Sequence, residues 1–144
     1  MMKFKFIKSE DKEEVIVYYK SKNKLIEELE NLSHQYDQKI IGFDNGIIKE
    51  LNPIEIECFI TENEKVIALV KNNKYLLKKR LYELNEMLKD SFVYINQGCL
   101  ANLKMIDHFD ASIGGTLMVV FKSGYKDFVS RRQLKNIKER IGIK

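Results

Sequence analysis

Between Lys39 and Val129 the chain is interrupted at short intervals by turn-forming residues: Asp44-Asn45-Gly46, Asn52-Pro53, Glu62-Asn63-Glu64, Asn72-Asn73, Gln97-Gly98 and Ser123-Gly124. Asn-Gly favours the positive φ of tight hairpins, and the single proline, Pro53, breaks regular structure. The runs between these breaks are short and rich in Ile, Val, Leu and Phe, so most of them read as strands. The expected strands are residues 39–43, 46–51, 54–61, 65–70, 74–77, 92–96, 105–113, 116–122 and 125–129, with a short apolar segment at 99–103. In 65–70, Val66, Ala68 and Val70 alternate with Ile67 and Leu69, so this region is expected to be buried on more than one side. Residues 79–89 are the exception. They place Leu81, Leu84 and Leu88 on one helical face and stop at Asp90-Ser91.

The first 38 residues read differently. Phe4 and Phe6, then Val15 to Tyr19, suggest two strands joined by the polar turn 9–14, a β-hairpin. A helix over 22–36 follows, with Leu25, Ile26, Leu29, Leu32 and Tyr36 at helical spacing and His34 an ordinary residue near its end. The one credible boundary therefore lies near residue 38. Residues 1–38 form a β-β-α extension, and residues 39–144 form the main domain.

At 144 residues the chain can bury a core without disulfides or metals. No run of eighteen apolar residues occurs, so no membrane insertion is expected, and Met1 to Phe6 is too short to serve as a signal peptide. The two cysteines, Cys58 and Cys99, each sit in an apolar run and fit free, buried thiols of a cytoplasmic protein. Charge is unevenly spread. Residues 1–38 carry seven Lys against eight acids, whereas 122–144 carry eight Lys or Arg against Asp127 and Glu139 alone. A basic excess gathered at one end is the electrostatic footprint of a nucleic-acid binder, and equally of a solvated face.

No catalytic chemistry stands out, and an enzyme is not expected. Neither a phosphate-binding nor a dinucleotide-binding glycine motif occurs, Gly114-Gly115 reads as a turn, and two His and two Cys far apart make no metal motif. Asp107, His108 and Asp110 form a local cluster. At strand spacing His108 and Asp110 share a face and Asp107 points away, which reads as a polar strand edge. No metal and no cofactor is expected.

The C-terminal stretch carries the sharpest local signal. Ser130 and Gln133 have the spacing of a capping box, and Leu134, Ile137 and Ile141 lie on one face of a last helix that Gly142 closes. Yet its first two positions are Arg131 and Arg132, where the helix end already bears partial positive charge. Two guanidiniums beside unsatisfied N–H groups suit an anion such as phosphate; solvated surface arginines are the plain alternative.

Four segments in order resemble the LytTR family, the DNA-binding domain of LytT-type bacterial response regulators. They are Leu51-Asn52-Pro53-Ile54-Glu55-Ile56-Glu57, then Tyr75-Leu76-Leu77 with Leu81-Tyr82-Glu83-Leu84. Next comes Phe92-Val93-Tyr94-Ile95 through Leu100-Ala101-Asn102-Leu103-Lys104-Met105-Ile106, and finally Phe128-Val129-Ser130-Arg131-Arg132, like the family's V-S-R-R. The resemblance runs from about residue 39 to 143. It implies an α+β, mostly β fold of small antiparallel sheets with short helices, preceded here by the hairpin-and-helix extension.

What the resemblance implies about function is a sequence-specific, double-stranded DNA-binding transcriptional regulator that inserts loops, rather than a recognition helix, into the major groove. By position, the expected DNA-binding residues are Lys65, Asn96, Gln97, Asn102, Lys104, Arg131 and Arg132. Asn96 and Gln97 suit adenine, Arg132 suits guanine, and Arg131 or Lys104 suits phosphate. Glu64 stands where many members have a donor, and Tyr94 where they have an arginine. These departures keep a second reading open, a protein–protein adaptor on the same scaffold. Residues 1–38 are too few for a receiver domain, so a stand-alone bacterial regulator is expected. It would act as a homodimer, with the extension mediating dimerisation or binding an unidentified protein partner.

Overall fold

The protein's structure, a computed structural model, describes residues 4–12, 14–37, 39–112 and 114–142. Among the described residues, ten strands and three α-helices are arranged mostly as antiparallel β-structure. Seven strands make one sheet: β1 (Ile40–Asp44), β2 (Ile47–Leu51), β3 (Cys58–Glu62), β4 (Lys65–Val70), β5 (Asn73–Leu77), β6 (Phe92–Asn96) and β7 (Cys99–Asn102), in the order β2-β1-β5-β4-β3-β7-β6. Three more make a second sheet: β8 (Ile106–Asp110), β9 (Leu117–Phe121) and β10 (Lys126–Val129), in the order β10-β9-β8. The helices are α1 (Lys24–Asp37), α2 (Leu81–Leu88) and α3 (Arg131–Ile141). All the pairings are antiparallel.

The turn chemistry explains the register. In the β1–β2, β3–β4 and β4–β5 hairpins both central residues have positive φ: Asn45 and Gly46, Asn63 and Glu64, Lys71 and Asn72. Positive φ at both positions is the signature of a type I′ turn, whose twist matches that of the flanking strands. Asn and Gly tolerate it readily; Glu64 and Lys71 are held there by the ladders on either side.

The large sheet is covered on both faces, as the apolar run at 65–70 anticipates. On one face Phe59, Val66, Ala68, Leu77 and Phe92 pack with Leu84 and Leu88 of α2. On the other, Cys58, Ile60, Leu69, Val93 and Ile95 pack with Val119 and Phe121 of β9 and Ile137 of α3. Burying a large apolar side chain fully is worth about 1.5–3 kcal/mol. Ile137, fully buried, is therefore the anchor that fixes α3 against β6.

Several expected boundaries move, each for a local reason. The strand expected at 54–61 starts only at Cys58. The Asn52 side chain accepts the Ile54 N–H at 3.1 Å and caps a short 3-10 turn, Pro53–Glu55, which delays it. The same device recurs at Asn102, whose side chain accepts from the Lys104 N–H and caps a second 3-10 turn, Leu103–Met105. Helix α1 begins at Lys24, after an Asn23 side chain that accepts the Ile26 N–H at 3.0 Å. The Tyr36 and His34 side chains, and the end of the strand expected at 105–113, lie outside the described residues.

The N-terminal hairpin does not form. Residues 4–9 and 14–19 have no strand pairing, and Phe6, Val15 and Tyr18 are about nine-tenths exposed (91%, 90% and 90%). An apolar alternation makes a strand only when a ladder partner is present, and among the described residues this segment has none. Helix α1 itself lies against the 3-10 turn at Pro53–Glu55 and buries Ile26.

Candidate nucleic-acid interface

Three connections meet at one end of β3 and β7. Ile60 of β3 pairs with Cys99 of β7, and the Thr61 N–H donates to the Gly98 carbonyl at 2.9 Å. This sets the β6–β7 turn beside the β3–β4 turn, about one strand spacing (~4.8 Å) away. The start of α3 is brought to the same place by the Ser130 N–H, which donates to the Ile95 carbonyl at 2.8 Å. That carbonyl is free because the β6–β7 register shifts between Tyr94 and Asn96, a bulge that takes Ile95 out of the ladder.

Ser130 is the N-cap of α3. Its hydroxyl accepts the Gln133 N–H at 3.3 Å, as the capping-box spacing anticipates. The reciprocal half of the box is replaced, since the Ser130 N–H is committed to Ile95 rather than to Gln133. Helix placement here takes precedence over local capping. Arg131 and Arg132 are exposed at the helix start, with no acidic residue in that first turn.

Of the seven residues expected to contact DNA, the structure gathers five at this end. Lys65, Gln97, Arg131 and Arg132 are exposed; Asn96 is buried. The Asn96 amide nitrogen donates to Asp127 Oδ1 at 3.0 Å and to the Phe128 carbonyl at 2.8 Å, and its oxygen accepts the Gly98 N–H at 2.9 Å. Both amide hydrogens are spent inside the protein, so the side chain has no donor left for a base edge. Asn96 is the tie that binds the turn to β10.

Asp127 is itself held by its neighbours, accepting from its own strand at the Phe128 N–H and from the Tyr125 hydroxyl at 3.4 Å. Burial, reinforced by the Asp127 carboxylate, pushes the Tyr125 hydroxyl far above its ordinary range, so it stays a donor.

Asn102 and Lys104 lie elsewhere. Five residues along the chain from Gln97 place Asn102 roughly 16 Å away, at the opposite end of β7. Asn102 is buried and donates to the Ile56 carbonyl at 2.9 Å, while Lys104 is exposed beside it. No residue pattern points to what completes this end. Glu57, only 2% exposed, accepts from the Ser123 N–H at 2.8 Å and from the Ser123 hydroxyl, clamping the β9–β10 turn to the large sheet. The position of Glu57 directly after Ile56 marks a buried site only once the delayed start of β3 is known.

Asp107 and His108 are exposed and Asp110 is half-buried, and the cluster differs from the strand-spacing expectation. The β8–β9 register shifts between Ile106 and His108, and the Asp107 carboxylate lies 2.6 Å from His108 Nδ1. The bulge puts two successive residues within reach of one another. Among the described residues no group of three or more His, Cys, Asp or Glu is placed to hold a metal ion. Among the described residues no helix is long and apolar enough to cross a membrane.

The sequence profile of the LytTr DNA-binding domain matches residues 47–142. An uncharacterized HTH-type transcriptional regulator of Staphylococcus aureus strain MSSA476 is 30% identical over 147 residues, covering 99% of this chain and all of that protein. Its counterpart in the bovine strain RF122 is 32% identical over 150 residues with the same coverage. Similarity thus extends through the N-terminal 38 residues as well. Among solved structures, the LytTr DNA-binding domain of a Bacillus cereus protein named as a methyl-accepting/DNA response regulator superimposes with a TM-score of 0.68. That match covers 73% of this chain and 97% of the other at 15% identity, a likeness of fold. Helix-turn-helix in the relatives' name has no counterpart here: among the described residues, strands separate each helix from the next.

Proposed function

Given that the chain belongs to the LytTR DNA-binding domain family, we propose that it is a transcriptional regulator that binds double-stranded DNA through the loop end of β3 and β7. In this reading the β3–β4 turn, the β6–β7 turn and the start of α3 enter the major groove. Arg132 and Gln97 face base edges, where Arg suits guanine and Gln suits adenine. Arg131 and Lys65 contact phosphate and set the register. Asn96 acts from inside, holding Gln97 at the surface, and Asn102 likewise supports the fold. Lys104 lies roughly 16 Å from the groove-facing residues and is left for the flanking backbone.

The observation that supports this most is the pairing of exposed Arg131 and Arg132 with an N-cap whose backbone is tied to Ile95. Two cations are held at a helix start, where the local field disfavours them unless an anion arrives. The helix is no recognition helix: Ile137 and Leu134 are turned to the core, and its task is to present the arginines. The protein acts as a homodimer on a repeated half-site, in the cytoplasm, with residues 1–38 as a separate extension for self-association or a protein partner.

One observation favours an adaptor without DNA binding. The β3–β4 turn is acidic at Glu62 and Glu64, and among the described residues Glu62 is ion-paired, with Lys74 at 3.5 Å, while Glu64 is in no ion pair. A gel-shift titration with duplex from the region upstream of its own gene, at several salt concentrations, separates the two. The DNA-binding reading expects specific binding with a steep salt slope. Salt-independent or undetectable binding would favour the adaptor.

A further inference from the structure

The loop end of the large sheet continues past the β3–β4 turn. Val66 of β4 pairs with Leu77 of β5, so Lys65 and Lys78, the next residues out, follow on neighbouring strands. Phe43 of β1 pairs antiparallel with Leu76, which brings the start of β1, and Lys39 just before it, to the same end. Side chains alternate along a strand, so Lys65 shares a face with Ile67 and Leu69, Lys78 with Leu76, and Lys39 with Ile41 and Phe43. The Lys78 ammonium, 5.1 Å from the centre of the Phe43 ring, keeps to that face. Ile67 and Leu69 belong to the same core as Ile137, so it is also the face that carries α3 and its two leading arginines.

A groove of about 330 Å³ opens there, floored by Ile41, Phe43 and Leu77 and rimmed by Lys39, Lys78 and Lys79, with no carboxylate in its lining. Lys39 and Lys78 are exposed, and among the described residues none of the three lysines is in an ion pair. Of the acids nearby, Glu62 is paired with Lys74 at 3.5 Å and Glu83 accepts the Arg80 N–H at 3.1 Å. Glu50 lies one strand further out, on β2 opposite Ile41, and Glu64 belongs to the β3–β4 turn.

We propose that Lys39 and Lys78, in line with Lys65, form a phosphate-binding row that carries the DNA footprint past the three base-facing connections. From β4 to β1 is two strand spacings, about 10 Å, which matches about three base-pair steps of duplex. The ammoniums meet phosphate oxygens of the flanking backbone, and the apolar floor between them takes deoxyribose. Such contacts add affinity and register without reading sequence. An acidic protein segment is the competing occupant. Continuity with the arginine-bearing end favours DNA, because a duplex is stiff over this distance and, laid across the turns from strand to strand, passes over the row.

The row rests on the DNA-binding reading of this end, and its test separates the two. Full-length wild type and a Lys39→Gln, Lys78→Gln double variant are titrated with the duplex from upstream of the gene and with a scrambled duplex, at several salt concentrations. The double variant is expected to bind both duplexes about tenfold or more weaker, with the ratio between them unchanged and the salt slope flatter by about two units. Lys71→Gln with Lys89→Gln, the same loss of charge at exposed positions away from the groove, is expected to keep the wild-type slope. Trimming about three base pairs from one end of the duplex should abolish the difference between wild type and the double variant. Wild-type affinity and slope in the double variant would overturn the row and leave the DNA-binding reading standing, as would an equal loss in the Lys71, Lys89 control. A changed ratio between the duplexes would overturn its phosphate role. A wild type that binds neither duplex would overturn both readings.

Discussion

At one end of β3 and β7, Asn102 and Glu57 are buried and tie three segments together, through the Ile56 carbonyl and the N–H and hydroxyl of Ser123. At the other end Asn96 does the same for the β6–β7 turn and β10. Both ends use a buried polar side chain as a strut, because a turn has too few apolar residues to be held by packing alone. They differ in what is left outside. The far end exposes Lys104 and Lys122, whereas the loop end exposes Gln97, Lys65 and two arginines at a helix start. A buried strut and an exposed residue proposed to contact DNA can thus be neighbours in sequence, Asn96 and Gln97.

Substitutions that act on one end and not the other sharpen this contrast. Ile137→Ala should have the largest effect: it removes the anchor of α3 and is expected to lower stability by about 2–5 kcal/mol in chemical denaturation. It should also weaken DNA binding, because the arginines lose their mount. Glu57→Ala leaves the Ser123 N–H and hydroxyl without an acceptor, at an expected cost of about 1–3 kcal/mol in stability. DNA affinity measured well below the unfolding midpoint should stay near wild type. Asn96→Ala is expected to cost a similar amount in stability and, unlike Glu57→Ala, to weaken DNA binding as well. If the two behaved alike in a gel shift, the distinction between the ends would collapse.

Arg132→Ala should leave stability unchanged and cost about 1–3 kcal/mol in binding, with relaxed preference at one base. Arg131→Ala should have the smallest effect, weakening all duplexes alike and flattening the salt slope by about one unit. Full affinity in Arg132→Ala would remove that residue from the interface.

Much of this architecture was legible in the residues. Asn45-Gly46, Asn63 and Asn72 located three hairpins because positive φ is a local demand that local chemistry answers. The α3 face was readable from Leu134, Ile137 and Ile141 for the same reason. The N-terminal hairpin was misread because Val15 to Tyr19 has the composition of a strand but no ladder in its own chain. The roles of Asn96 and Asn102 were hidden for a related cause. Whether an asparagine faces a groove or a core depends on partners such as Asp127 and Ile56, thirty-one and forty-six residues away. The half-used capping box at Ser130 depends likewise on a bulge at Ile95 that the sequence does not announce.

DNA is proposed to meet the protein at one end of β3 and β7. Mapping backbone amide shifts by NMR while duplex DNA is titrated into the full chain tests it directly. Perturbations are expected to concentrate at residues 62–65, 97–98 and 130–132, with 52–57, 102–105 and 122–124 little changed. Perturbations centred on the second group, with the first unmoved, would contradict it.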